Sequence, residues 1–142
     1  MGYKSVLYDL KTQWYTQITN LVTNRTVYKD AVPLSENGNY ILIRSEGASQ
    51  TDLNNSAFFQ SAIIVLDIVT KFTNIANSKT AYDILNEINL VLIPSPNSNI
   101  FVLPDHQVTQ VTIQSESEFY EDDGGGKVFR LLVRYEHILN QN

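Results

Sequence analysis

From Phe58 to Phe72 the chain reads FFQSAIIVLDIVTKF, and this run restricts the possible folds more than any other stretch. In an extended strand Phe58, Ala62, Ile64, Leu66 and Ile68 fall on one face, and Phe59, Ile63, Val65 and Val69 on the other. Both faces stay apolar until Asp67 and Lys71. Such a strand belongs at the centre of a sheet, covered on both sides over at least its first half. A second subunit is one candidate for the second cover.

Elements on either side supply a sheet and helices. Val6, Leu7, Leu10, Trp14, Ile18, Leu21 and Val22 recur at steps of three and four, predicting an amphipathic helix over 4–22 with Trp14 as a core anchor. Arg25 to Val32 is a short β-rich piece that breaks at Pro33. The Asn37-Gly38 turn and the compact strand Tyr40-Ile41-Leu42-Ile43-Arg44 follow, so 25–44 reads as a loose antiparallel pair. The polar GASQTDLNN stretch, 47–55, reads as a loop or hairpin tip.

A second helix is predicted over 78–93. Asn77-Ser78-Lys79-Thr80 supplies caps, Asp83 an acidic first turn, and Ala81, Ile84, Leu85, Ile88, Val91 and Leu92 the stripe. Pro94 stops it, because the residue before proline avoids the helical region. Residues 94–107 form a long connection carrying the apolar stretch Ile100-Phe101-Val102-Leu103. That stretch either tucks onto its own domain or serves as a partner-binding arm. The last third is a hairpin, loosely alternating over 108–119 and cleanly over 128–137, around the acidic tip Glu121-Asp122-Asp123-Gly124-Gly125-Gly126. No repeat or linker divides the chain. The expected fold is one α+β domain over 1–142: an antiparallel sheet of about five strands with two helices on one face, in the order α-β-β-β-α-β-β.

Composition narrows the chemistry. A chain of 142 residues with 43% hydrophobic content buries roughly 68–70% of its unfolded surface and needs no metal or disulfide to fold. With no cysteine, disulfide frameworks, zinc fingers, iron–sulfur centres and thiol catalysis are excluded. Ten basic against fifteen acidic side chains give a formal charge of −5. An acidic domain gains little from counterion release, so groove-tracking DNA binding is not expected. DNA can still slide past it without sticking. No signal-peptide stretch or membrane-length apolar run occurs, and synthesis in a cytoplasm is the expectation.

Gly124-Gly125-Gly126-Lys127 mimics the end of a phosphate loop, but Glu121 and Val128 stand where glycine and a hydroxyl residue are required, and a strand follows. The acidic run through Glu116, Glu118, Glu121, Asp122 and Asp123 lacks calcium-loop spacing and reads as a solvated tip. The two histidines, His106 and His137, belong to no metal or nucleophile motif, although Asp105 adjoins His106. No cofactor, metal or catalytic residue is expected.

The order of elements over nearly the whole chain resembles the tail-terminator and tail-completion proteins of tailed bacteriophages. The resembling pieces are the helix at 4–22, the Pro33-marked strand, the Tyr40-Ile41-Leu42-Ile43 strand, the Asp52-containing loop, the 58–72 strand, the 78–93 helix and the terminal pair. That resemblance implies a non-enzymatic virion protein assembled in a host cytoplasm. It further implies a homo-oligomeric ring of six or twelve copies at the head–tail junction or tail end, docked to neighbouring neck or tail proteins, with DNA passing through its lumen. A ring needs two different complementary surfaces. The residues expected at a ring or neighbour interface are Asp52, Leu53, Phe59, Ile63, Phe101, Leu103, Arg130 and Arg134; those expected at the lumen or in a docking loop are Glu121, Asp122 and Asp123. Two other readings compete: a monomeric α+β domain binding a small ligand or peptide, and an enzyme built around His106 and Asp105.

Overall fold

The computed structural model describes residues 2–21, 26–52, 58–73, 75–95, 98–122 and 126–142. Its elements are α1 (Leu7–Leu21), β1 (Val27–Tyr28), β2 (Tyr40–Asp52), β3 (Phe59–Phe72), α2 (Lys79–Leu92), β4 (His106–Asp122) and β5 (Lys127–Gln141). The greasiest strand takes the centre: the sheet order is β1-β2-β3-β5-β4. All pairs from β2 to β4 are antiparallel.

Period-two patterning assigns one face of this sheet to the core. Ala62, Ile64, Leu66 and Ile68 of β3 share rows with His137, Tyr135, Val133 and Leu131 of β5, and Ile43 and Ile41 of β2 extend two of those rows. Both helices lie on that face. Leu10, Trp14 and Ile18 of α1 and Ala81, Ile84, Leu85, Ile88 and Leu92 of α2 are buried against it, as the helical spacing requires. Trp14, Tyr135 and Phe129 are the bulkiest of the fully buried side chains, each removing a large apolar area from water. Among the described residues the opposite face has no helical layer. On that face the central strand leaves Phe59 and Ile63 half-buried, while Val65, Asp67 and Val69 farther along it are buried.

Several boundaries differ from the sequence expectation for identifiable reasons. Helix α1 begins at Leu7 rather than residue 4, because the backbone before it is committed elsewhere. Lys4 N–H donates to Gln141 Oε1 (2.8 Å), while Gln141 Nε2 donates to the Gly2 carbonyl (2.8 Å). Gln60 Nε2 donates to the Lys4 carbonyl (3.1 Å). The expected antiparallel pair within 25–44 is instead parallel: Val27 aligns with Ile41 and Tyr28 with Leu42. The 29–39 connection brings the chain back to the starting end of its neighbour, through turns in which Glu36 N–H donates to Pro33 O (3.0 Å) and Gly38 N–H to Glu36 Oε1 (2.8 Å).

The polar 47–52 stretch is strand, not loop. It runs from Gly47 opposite Ile63 to Asp52 opposite Phe59, with irregularities at Ser45/Gly47 and Gln50/Asp52. The neighbouring strand provides its hydrogen bonds, which polar composition does not forbid. Helix α2 keeps its stripe, but its N-terminal contact is made by Asn77, whose Oδ1 accepts from Lys79 N–H (3.2 Å), and Ser78 makes no side-chain cap. Asp83 lies beyond the first turn and pairs with Lys79 four residues earlier (2.8 Å).

Candidate functional site

No described helix packs on the face of the sheet away from α1 and α2, and the chemistry of that face follows from register. Across it run the rows Tyr40–Val69–Arg130–Phe119, Leu42–Asp67–Leu132–Ser117, Arg44–Val65–Arg134–Ser115 and Gly47–Ile63–Glu136–Thr112. Aliphatic side chains therefore alternate with charged ones. Among the described side chains of this face four basic groups (Arg44, Lys71, Arg130, Arg134) balance four acidic ones (Glu46, Asp67, Glu121, Glu136), while the whole chain carries −5.

Most of those charges are tied to one another. Asp67 is buried at 2% exposure and both its oxygens accept from Arg130, at Nε (3.3 Å) and at Nη2. Arg130 also donates through Nη1 to Glu121 (3.2 Å). The adjoining carboxylates raise the Arg130 pKa further above its ordinary value, with the Asp67 hydrogen bond the leading cause. Arg134 Nε donates to Glu46 (2.7 Å) in a pair open to solvent. Arg44 is exposed and has no ion-pair partner among the described residues. Aliphatic side chains interleaved with paired charges are chemistry suited to contact with a protein surface.

The expected interface and lumen residues are thus dispersed. Arg130, Arg134 and Ile63 share the open face, and Phe59 ends it. Asp52 closes β2, while Leu53 and Asp123 lie outside the described residues. Phe101 and Leu103 are not surface residues of an arm: each is 8% exposed and belongs to the core, with the Phe101 ring 4.9 Å from that of Trp14. Hydrophobic burial turns both inward and leaves Val102 outward at 76% exposure. Glu121 and Asp122 end β4 in strand conformation, Glu121 on Arg130 and Asp122 on Lys127 (2.5 Å). The described part of this connection, residues 98–105, therefore folds onto its own domain.

The histidines are structural polar groups of the interior. Trp14 Nε1–H donates to His137 Nε2 (2.9 Å). An indole N–H only donates, so the neutral imidazole carries its proton on Nδ1 and donates it to the Ala62 carbonyl (3.0 Å). Burial pushes the His137 pKa down to about 4. His106 places Nε2 beside Gln60 (2.9 Å) and the Lys4 carbonyl (3.1 Å). Asp105, by contrast, pairs with the Lys4 ammonium (3.0 Å), so His106 and Asp105 do not form a dyad. Among the described residues no three metal-ligating side chains gather. The hollows are open: one of about 340 Å³ beside Ile75, Tyr120, Glu121 and Lys127, another of about 520 Å³ beside Glu36, Lys71 and Lys127. No described helix is long and apolar enough to cross a membrane.

Sequence reasoning passed over the buried glutamines Gln60 and Gln141. Parity was the available signal: each occupies a core-facing position of its strand, as His137 does. It also passed over the outer edge of β4.

No protein-family model matches this chain, and no curated protein matches it. Solved structures do match in fold. One is a chain of the virion of a native gene transfer agent (GTA) particle, at TM-score 0.65 and 14% identity, covering 96% of this chain and 99% of that one. At that identity the likeness establishes a shared fold from end to end.

Proposed function

We propose that this chain is a structural protein of a phage-like virion, and that it acts as a ring-forming tail terminator or head–tail connector. The observation that carries the reading is the near-complete mutual coverage with a chain of a virion: the shared fold extends over 96% of this chain and 99% of that one. Two features of the chain support it. A sheet with helices on one side and a charge-balanced, half-apolar face on the other retains surface for a neighbouring protein. Buried polar groups hold distant parts of the fold together, as Trp14–His137 and Gln60–Lys4 illustrate.

On this reading the protein is not an enzyme and needs no cofactor. Copies associate head to tail in a ring of six or twelve, neighbouring neck or tail proteins dock on its two rims, and DNA passes through an acidic lumen that repels phosphate. Electron microscopy of the purified protein, alone and mixed with the products of adjacent genes, tests it. Annular particles are expected. A chain that stays monomeric in every mixture would overturn the reading.

A further inference from the structure

The two lateral edges of the sheet are both open. On one side β1 covers β2 only at Ile41 and Leu42, so from Ile43 to Asp52 the outer edge of β2 has no partner strand among the described residues. On the other side β4 is the terminal strand along its whole length, His106 to Asp122. Long unpaired edges invite pairing with another chain, and proteins control which chain by the charges they place there.

One pair of opposite charges, Lys29 and Glu116, stands at the same height on the two edges, and the Glu46 carboxylate of β2 is taken up by Arg134. Lys29 follows directly on the Tyr28–Leu42 row and so stands level with Ile43, whose row continues through Leu66 and Val133 to Glu116 on the far edge. Both lie on the helical side of the sheet: the Lys29 ammonium sits over the rings of Tyr8 (5.2 Å) and Tyr15 (5.8 Å) of α1, and Glu116 pairs with core-facing Val133. Neither has an ion-pair partner within the described chain. Arg44, likewise unpaired, occupies the next row and so the open face of the same edge. Beside Glu116 the β4 edge adds Glu118, which accepts from the Tyr82 hydroxyl (2.6 Å).

We propose that the β2 edge of one copy, with Lys29 and Arg44, receives the β4 edge of a second copy, with Glu116. The inference rests on the ring reading and names the surfaces that close it. Strand direction agrees: β2 and β4 run in opposite senses within one sheet, so rotation of a copy about an axis along the strands brings them together antiparallel, like every other pair from β2 to β4. Two β4 edges facing each other would instead oppose Glu116, Glu118 and Glu121 to like charges, which disfavours a two-fold dimer and selects the head-to-tail contact.

The test is charge reversal. Lys29→Glu, Arg44→Glu and Glu116→Lys are made singly, and Glu116→Lys is combined with each of the other two. Assembly is followed against concentration by light scattering and native mass spectrometry, with melting temperature confirming that each variant folds. Each single reversal is expected to raise the concentration for half-assembly by about tenfold or more, and the double Lys29→Glu/Glu116→Lys to return it to within about threefold of the starting protein. Arg44→Glu serves as the basic-edge variant if Lys29→Glu disturbs the packing on Tyr8. A protein that forms rings indifferent to all reversals overturns this interface and leaves the ring standing. A starting protein that forms no assembly overturns both.

Discussion

Trp14 and His137 come from opposite ends of the chain and meet in its interior, the indole N–H donating to Nε2 at 2.9 Å. The contact joins α1 to β5 and fixes the imidazole as a neutral Nδ1–H tautomer in which both ring nitrogens are satisfied.

That histidine gives the fold an acid sensitivity. In the unfolded chain it takes a proton as pH falls through 6.5; folded, it resists down to about 4. The unfolded state thus binds more protons between those values, and stability falls with falling pH across the window, by roughly 3 kcal/mol in total. Below about 4 this residue adds no further slope. Asp30 and Glu36, held below their ordinary values by the Lys11 and Tyr28 hydrogen bonds, lose stability in the same direction but from a lower starting pH. Urea unfolding between pH 5 and 7 measures the contribution by difference: the slope is expected to flatten in His137→Phe, and a resonance assigned to the His137 imidazole that titrates near 6.5 in the folded protein would contradict the assignment.

Removal of Arg130 is expected to cost more than removal of Arg134. Asp67 is almost fully buried and would lose both of its charged donors, so Arg130→Ala should destabilise by about 2–4 kcal/mol. Adding Asp67→Leu should recover much of that loss. The Arg134–Glu46 pair is exposed, and Arg134→Ala should cost less than about 1 kcal/mol. Denaturant midpoints of the three variants give the comparison.

Within the 94–107 connection, neighbouring residues should behave oppositely. Phe101→Ala removes a ring packed on Trp14 and should cost about 3–5 kcal/mol, whereas Val102→Asp should leave stability within about 0.5 kcal/mol. Equal effects would mean that this segment is not anchored as described.

Helix stripes and strand parity made most of this architecture legible from the residues. The run at 58–72 identified the central strand because no other stretch is apolar on both faces, and the Leu10–Trp14–Ile18 spacing could serve only a helix with one buried side. What escaped was set by partners distant in sequence. GASQTD becomes strand because β3 stands beside it, and the 25–44 pair turns parallel through the path of its connection. Phe101 and Leu103 illustrate a different limit. Four apolar residues in a loop read the same whether they face a partner or their own core, and only the space between Trp14 and His137 decides it. The edge charges at Lys29 and Glu116 acquire meaning only once register sets them at one height.

The amino-terminal segment should open when its glutamine clamp is removed. Gln141 accepts from Lys4 N–H and donates to Gly2 O. In Gln141→Ala, hydrogen exchange at the Lys4 amide should approach the rate of an unprotected peptide, while amides of β3 keep their protection. Unchanged exchange at Lys4 would show that another group holds it.

The central claim is that this chain completes its structure by associating with copies of itself around a closed ring. Native mass spectrometry of the purified protein over a rising concentration series, alone and with its candidate neck or tail partner, addresses it directly. A single closed species of six or twelve chains is the expected result. A monomer throughout, or an open ladder of dimers, trimers and longer chains without a closing size, would contradict it.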